Sequence, residues 1–344
     1  MRAESGKKFA VFILTLLLTC GVVQGISAQD KGKLIPVIEG ISSPDFGYLP
    51  SYLARAKGFL ENEGLDMKIV VMRANVSVPA LVTGEVQFAV HGSAMTASIM
   101  GAPLKAIFFT YNTSILQFTV RPEIQKPEDL KGKVIAIASP GGSQDQATRL
   151  ILKKLGLDPD RDVRLLPIGD AKARVIGMET GQIAASANNI DIAAELVRKG
   201  YRIMTNSAEV YPVPFSGFAA NDQLLRKNPD IAKKWLRAHV RSLLFIRQNP
   251  EESAQIASKE LKLNPDVARE AIRQAVGFMS PDDPGGFTEK GIRLHIQYSA
   301  ARTNVDPDKV KIADVADATL LREVQREMGI QCRGGYLCQP GAGK

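Results

Sequence analysis

A chain of 344 residues with 45% apolar and 23% charged side chains is too long for one small domain, suits two lobes and is not disordered. Its formal charge of +8 is scattered, with no run of Lys and Arg interleaved with aromatics, and only 6% of residues are aromatic. That pattern excludes a built nucleic-acid surface and leaves a solvated basic one.

The opening MRAESGKK is a basic lead into the apolar run FAVFILTLLLT (9–19). The run is shorter than the roughly 20 residues a spanning helix needs. Ile26-Ser27-Ala28 before Gln29 fits a small-residue cleavage site, so residues 1–28 read as a secretory signal peptide and place the protein outside the cytoplasm. The alternative is a lipid anchor at Cys20 in LLTC, where Thr19 is a poor residue just before a lipidated cysteine. Removing 1–28 takes away Arg2, Glu4, Lys7 and Lys8 and leaves a charge of +6.

KLIPVIEG (33–40) reads as a first strand. FGYLPSYLARAKGF follows, with Leu49, Tyr52, Leu53 and Ala56 at helical spacing and Gly58 as a stop. DMKIVVM (66–72) is a second strand, VPALVTGEV a short helix and turn, and QFAV (87–90) a third strand before the small-residue helix SAMTASIMGA. LKAIFFTY (104–111) and LQFTV (116–120) are further strands, and Pro122 to Gly132 breaks the pattern. KVIAIA restarts it, and VRLLPI (163–168), QIAASA (182–187) and YRIM (201–204) continue it. Strands alternating with helices predict parallel βαβ units. From Asp222 to about Glu327 the chain is mostly helical, with AKKWLRAHVRSLLFIR (232–247) the longest amphipathic piece. Residues 326–344 read as a flexible tail. Within it Cys332 and Cys338 can close a small loop as a disulfide in an exported chain, or stay free thiols. No second Cys/His pair lies near them to make a zinc site.

TGEVQFAVHG (83–92) is echoed by TGQIAASANN (180–189), and each follows an apolar helix. The match puts His91 and Asn188 at the same place in two halves, just past a strand's C-terminal end, where open α/β sheets gather ligands. A third such end is the stretch AIASPGGSQDQATRLIL (136–152). Ser143 with Gln146 three residues on reads as a capping box, Ala147, Leu150, Ile151 and Leu155 as one apolar face, and Gly156 as the stop. Ser139-Pro140-Gly141-Gly142 is then a strand-to-helix turn whose backbone N–H groups face the open end. The lysine of a P-loop is missing and the Gly-x-Gly-x-x-Gly of a dinucleotide fingerprint is absent, so no nucleotide site is built here. An anion or polar-group site and a plain capped turn both remain.

Catalysis finds little support. His239, in WLRAHV, reads as a packing or surface residue, and His295 has no implied partner. His91 lacks a Gly-x-Ser-x-Gly nucleophile. Asp282-Asp283 in SPDDPGG reads as a surface turn.

FGYLPSYLARAKGFLENEGLDMKIV, PALVTGEVQFAVHG, MGAPLKAI and PEDLKGKVIAIASPGGS, in that order, resemble the landmarks of one family. It is the ABC-transporter solute-binding proteins of the nitrate/sulfonate/taurine type, grouped with the thiamine-pyrimidine-precursor binders. The resemblance runs from about Leu34 to Glu323. It implies the α/β, two-lobed type II periplasmic-binding-protein fold, each lobe a mainly parallel sheet flanked by helices. The hinge crossings are expected near Leu116–Arg121 and Phe215–Asn221, giving lobe 1 as 30–117 plus 219–325 and lobe 2 as 118–218. The function implied is that of a periplasmic monomer that binds a small polar or anionic organic solute (sulfonate, nitrate or taurine-like). It would deliver that solute to an ABC permease in the membrane, with no cofactor, metal, nucleic acid or catalysis. The alternative is a thiamine-type pyrimidine or other heterocycle as ligand, or an enzyme on the same fold.

Position by position, the resemblance implies five cleft segments. They are the loop after the first strand (Ser42, Ser43, Asp45, Phe46), the third-strand end (His91, Gly92, Ser93), the turn (Ser139, Gly141, Gly142, Ser143), the second-lobe strand end (Asn188, Asn189) and the returning strand (Phe215, Ser216). Asp45 is discordant: it would repel an anion unless balanced by an arginine such as Arg73 or Arg174, and it would equally take an amine or pyrimidine N–H. The fungal-type pyrimidine synthases of this fold carry a cysteine-rich motif, whereas this chain has no cysteine between Cys20 and Cys332.

Overall fold

Strands and helices alternate in the computed structural model as the apolar pattern requires, and residues 33–338 are described. The expected signal peptide and Cys20 lie outside the described residues. The strands in chain order are β1 (Ile35–Ile41), β2 (Leu65–Val71), β3 (Phe88–Val90), β4 (Leu104–Tyr111), β5 (Gln117–Val120), β6 (Val134–Ile137), β7 (Arg164–Pro167), β8 (Ala185–Asn188), β9 (Arg202–Asn206) and β10 (Phe215–Asn221). They form two five-stranded sheets, β2-β1-β3-β10-β4 and β7-β6-β8-β5-β9. In the first, β10 runs antiparallel to both its neighbours; in the second, β5 does so. The other strands of each sheet are parallel, so each lobe is mainly parallel, as expected.

The two sheets are built to one plan, and the internal echo follows it. β3 and β8 hold the same rank in their sheets. Each is reached from a helix, Ala74–Thr83 or Ala171–Glu179, that ends on a glycine in the left-handed region, Gly84 at φ 83° or Gly181 at φ 81°. A side chain at either turn would be strained, which is why Thr-Gly recurs. A second echo appears only in the fold: Ile41-Ser42-Ser43-Pro44 ends β1 as Ile137-Ala138-Ser139-Pro140 ends β6, its counterpart.

The chain crosses between the sheets over residues 112–116 and 207–214, just before the stretches expected. Leu116–Arg121 and Phe215–Asn221 are mostly β5 and β10 themselves, because both keep pairing to the ends of their ladders. The crossings are tied together. Ser114 Oγ lies 2.6 Å from Ser207 Oγ, Leu116 N donates to Ser207 Oγ at 3.1 Å, and Ser207 N donates to Leu116 O at 2.8 Å.

After β10 the chain returns as helices over the first sheet. The helix Pro229–Gln248 buries Trp235, Leu236, His239, Val240, Leu243 and Ile246 on one face. Trp235, the single tryptophan, stacks on Phe88 at 4.4 Å and on His239 at 3.7 Å, and its Nε1 donates to Glu39 Oε2 at 2.8 Å. His239 is thus a core residue, and its Nε2 also lies 3.2 Å from that buried carboxylate. No helix among the described residues is long and apolar enough to cross a membrane.

Asp283 departs from its expected surface turn. It is 5% exposed, because the helix Thr319–Glu327 covers it. Arg322 pairs with both its oxygens, and Gln325 Nε2 donates to it at 2.9 Å. The stretch expected as a flexible tail is pinned as far as Cys338. Tyr336 stacks on Phe287 at 5.7 Å, its N donates to Phe287 O at 2.7 Å, and its O accepts from Arg322 Nε at 2.8 Å. Cys332 and Cys338 are disulfide-bonded, with Cα atoms 5.4 Å apart. Together with Asp283 they are the one cluster of metal-ligand types among the described residues. The bonded sulfurs and the Arg322 ion pair leave that cluster no free anionic donor. Replacing both cysteines with serine is expected to cost about 2 kcal/mol of local stability. It should show as faster amide exchange at Tyr336, and an unchanged rate would mean the bond contributes nothing there.

Candidate functional site

The C-terminal ends of the parallel strands in both sheets open onto one cleft between the lobes. From the first lobe come the loop after β1, where Asp45 Oδ1 accepts from Gly47 N at 3.0 Å, and the helix His91–Ile99 after β3. From the second come the turn after β6 leading into the helix Ser143–Lys154, and the residues between β8 and the helix Ile190–Arg198. Helix N-termini of both lobes therefore face the cleft, a favourable field for an anion.

Eleven of the expected residues line this cavity: Ser42, Asp45, His91, Gly92, Ser93, Ser139, Gly142, Ser143, Asn189, Phe215 and Ser216. Four others do not. Ser43 Oγ is used to accept from Ala171 N at 3.0 Å, and Phe46 is wholly buried in the core. Gly141 shapes the turn at φ 75°, and Asn188 Nδ2 donates to Thr119 Oγ1 at 2.6 Å. The fold adds Tyr48, Ala74, Val90, Leu116, Ala138, Gln144 and Arg174.

The lobes are shut on each other. Asn189 Nδ2 donates to Asp45 Oδ1 at 2.6 Å and Phe46 N to Asp191 Oδ2 at 3.2 Å. On the other side of the cleft His91 Nε2 lies 3.2 Å from Ser143 Oγ, Thr96 Oγ1 donates to Gly141 O at 3.0 Å, and Gln146 Nε2 to Ser299 Oγ at 2.8 Å. Gly92 abuts the second lobe so closely that a Cβ would lie 2.5 Å from Ser143 Oγ and 2.8 Å from Ser143 N. The cavity left between the lobes is about 80 Å³ and is partly open to solvent.

The turn after β6 differs from its expected capping box. Gly142 is the N-cap and makes no side-chain cap; Ser143 is the first helical residue. Its hydroxyl turns to His91 instead, and Gln146 reaches Gly141 O and Ser299. Most N–H groups of the turn are satisfied within it: Ala138 N by Gln144 Oε1 at 2.6 Å, Gly141 N by Asp145 Oδ2 at 2.8 Å and Gly142 N by Ser139 O at 3.1 Å. It is a wall of the cleft more than an open cradle.

The positive charge comes from Arg174, 5% exposed, on the helix Ala171–Glu179. Its Nη1 donates to Ile168 O at 2.9 Å and Gly169 O at 2.8 Å, while its buried Nε has no partner. It answers the puzzle of Asp45. Burial pushes that carboxyl up to about 6, against the opposing pull of Arg174, Gly47 N–H and Asn189. Burial, then the charge of Asp45, pushes Asp191 to about 8. Burial lowers His91 to about 4. Arg73 stays at the rim, packed near Gly169.

These groups can hold a solute by one ion pair and several hydrogen bonds, but they are poorly arranged to react with it. Ser143 and His91 are within reach of each other, yet His91 Nδ1 faces the backbone of Gly217, with no carboxylate to orient it. An imidazole held near 4 is a weak base for a serine at neutral pH.

Comparison with known proteins agrees. Residues 45–253 match the family model described as NMT1/THI5 like. The riboflavin-binding protein RibY of Chloroflexus aurantiacus is 25% identical over 225 residues, covering 62% of this chain. The chain spans 63% of that relative's length. Relatives in Bacillus subtilis and Brucella abortus also carry binding-protein names, in keeping with a non-catalytic role. Among solved structures, a Bordetella bronchiseptica protein overlays 86% of this chain and 99% of its own at TM-score 0.77 and 24% identity. The periplasmic nitrate-binding protein NrtA of Synechocystis PCC 6803 overlays 86% and 89% at TM-score 0.73 and 15% identity. These overlays show the bilobed type II periplasmic-binding-protein fold. The matched segment begins at the cleft residue Asp45, takes in the whole second sheet and ends beyond β10, and on it the chain belongs to the NMT1/THI5-like family.

Proposed function

We propose that the protein is the extracytoplasmic solute-binding subunit of an ABC importer, closing on a small polar or anionic organic solute and handing it unchanged to a membrane permease. Arg174 carries this reading. A guanidinium buried in a closed cleft with its Nε unpaired calls for an acceptor, and a sulfonate, nitrate or taurine-like anion supplies one. Hydroxyls of Ser42, Tyr48, Ser93 and Ser139 complete the shell without adding charge. Exclusion of water on closure strengthens each of these bonds. Asp45 suits the amine end of a taurine-like solute, 4% exposed and already accepting from Asn189.

A second reading has an observation of its own. The same Asp45 and Asn189 could meet the ring N–H groups of a heterocycle, and the relative RibY is named for riboflavin. The unpaired Nε of the buried Arg174 favours the first. A thermal-shift panel on residues 29–344 decides between them, using nitrate, alkyl sulfonates, taurine, aromatic carboxylates, pyrimidines and flavins. A true ligand at 100 times its Kd should add about 2.7 kcal/mol. Hits confined to sulfonates and related anions are expected. Hits confined to pyrimidines or flavins would establish the second reading, and turnover of any hit would sink both.

A further inference from the structure

Beside the cleft, the seam between the lobes holds two carboxylates from opposite sides. Asp45 belongs to the loop after β1, and Asp191 to the first turn of the helix Ile190–Arg198. They are 4% and 0% exposed. Each bonds across the seam, Asp45 to Asn189 and Asp191 to Phe46 N, so both are buried by closure itself. The second oxygen of Asp191 is buried with no partner. One cation faces the pair, Arg174, and it is shared with Asp170. The remaining titratable neighbours, Tyr48, Tyr52 and Tyr111, are phenols whose protons burial holds more tightly. Shutting the lobes therefore removes two carboxylates from water against a single divided positive charge. Carboxylates packed this way resist ionising together.

We propose that closure takes up about one proton, held by the Asp45–Asp191 pair, so that a proton is a second ligand of the closed protein. The inference rests on the solute-binding reading only in that the lobes open and close. With the lobes apart, both groups return to water and titrate near 4, the usual carboxylate range. Their carboxyls are raised in the closed form, so between the two ranges the closed form binds more protons and falling pH favours it. His91 and His295, whose rings lie 6.0 Å apart, work the other way: burial lowers both, so below about 6.5 they shed protons on closing. Above the histidine range that loss vanishes, and the uptake there is the proton of Asp191.

Small-angle scattering of the mature chain without any solute tests this between about pH 8.5 and 7, the span above the ordinary histidine and carboxylate values. The radius of gyration is expected to fall as pH falls, with the closed-to-open ratio rising toward tenfold per pH unit. In Asp191→Asn, an uncharged isostere, the protein should already be compact at the alkaline end and respond weakly to pH. A wild-type curve flat with pH, or the same pH response in both proteins, would overturn the proposal. Should Asp191→Asn fail to fold, Asp45→Asn takes its place, and the wild-type curve alone still decides. No solute enters the measurement, so its outcome and that of the thermal-shift panel stand or fall separately.

Discussion

An alanine at position 92 is expected to hold the lobes apart. Gly92 is the second residue of the helix His91–Ile99, and its missing side chain is what lets the first lobe touch the second. A methyl group there would lie 2.8 Å from the backbone nitrogen of Ser143, and that nitrogen is fixed by the helix it begins. The serine hydroxyl can rotate away; the backbone cannot. The His91–Ser143 and Thr96–Gly141 contacts would go with the closed form. Within the first lobe alanine is harmless and favours the helix by up to about 1 kcal/mol. Gly92→Ala should therefore keep or raise its melting temperature without solute while affinity for the solute found in the panel falls by roughly a hundredfold, about 2.7 kcal/mol. Calorimetric titration reads the affinity. A variant that binds as tightly as the wild type would show that the lobes need not meet at Gly92 for the solute to be held.

Arg174→Gln should cost nearly as much, for a different reason. Closure would still be possible, but the cleft would lose its cation and Asp45 its counter-charge. A charge-assisted bond to a buried anion is worth about 1.5–3 kcal/mol, so a sulfonate-class solute should bind roughly 10- to 150-fold more weakly. Glutamine can still donate to one of the two carbonyls, Ile168 O and Gly169 O, that Arg174 now holds. Some loss of melting temperature is expected as well, so titrations belong well below it. The ratio of affinities for an anionic and an uncharged probe separates the two effects, since a loose fold weakens both. Equal weakening of both probes would remove Arg174 from the role of anion partner.

Much of this was legible in the sequence where the cause is local. The strand LKAIFFTY is found at its expected bounds because an apolar run between polar turns leaves no other choice. The echo of Thr-Gly turns placed His91 beside the cleft, but its match Asn188 is turned inward to Thr119, and the next residue, Asn189, lines the cavity instead. What escaped depends on contacts distant along the chain. Ser143 reads as a cap until His91, 52 residues away, offers its hydroxyl a better partner. Asp283 reads as a turn residue until Arg322, 39 residues on, covers it. Arg174 lies on a helix with no sequence signal of its own, and only the packing of that helix against the loop after β1 brings its charge near Asp45.

The lone tryptophan has a consequence for anyone watching this molecule work. Trp235 is sealed between Phe88 and His239, with its indole N–H committed to Glu39, and every one of these partners belongs to the first sheet or the helices returning over it. None of these three partners lines the cleft or belongs to the second lobe, so its surroundings are expected to change little when the lobes part. Its natural emission is therefore expected to report the folding of the first lobe far more than the filling of the cleft.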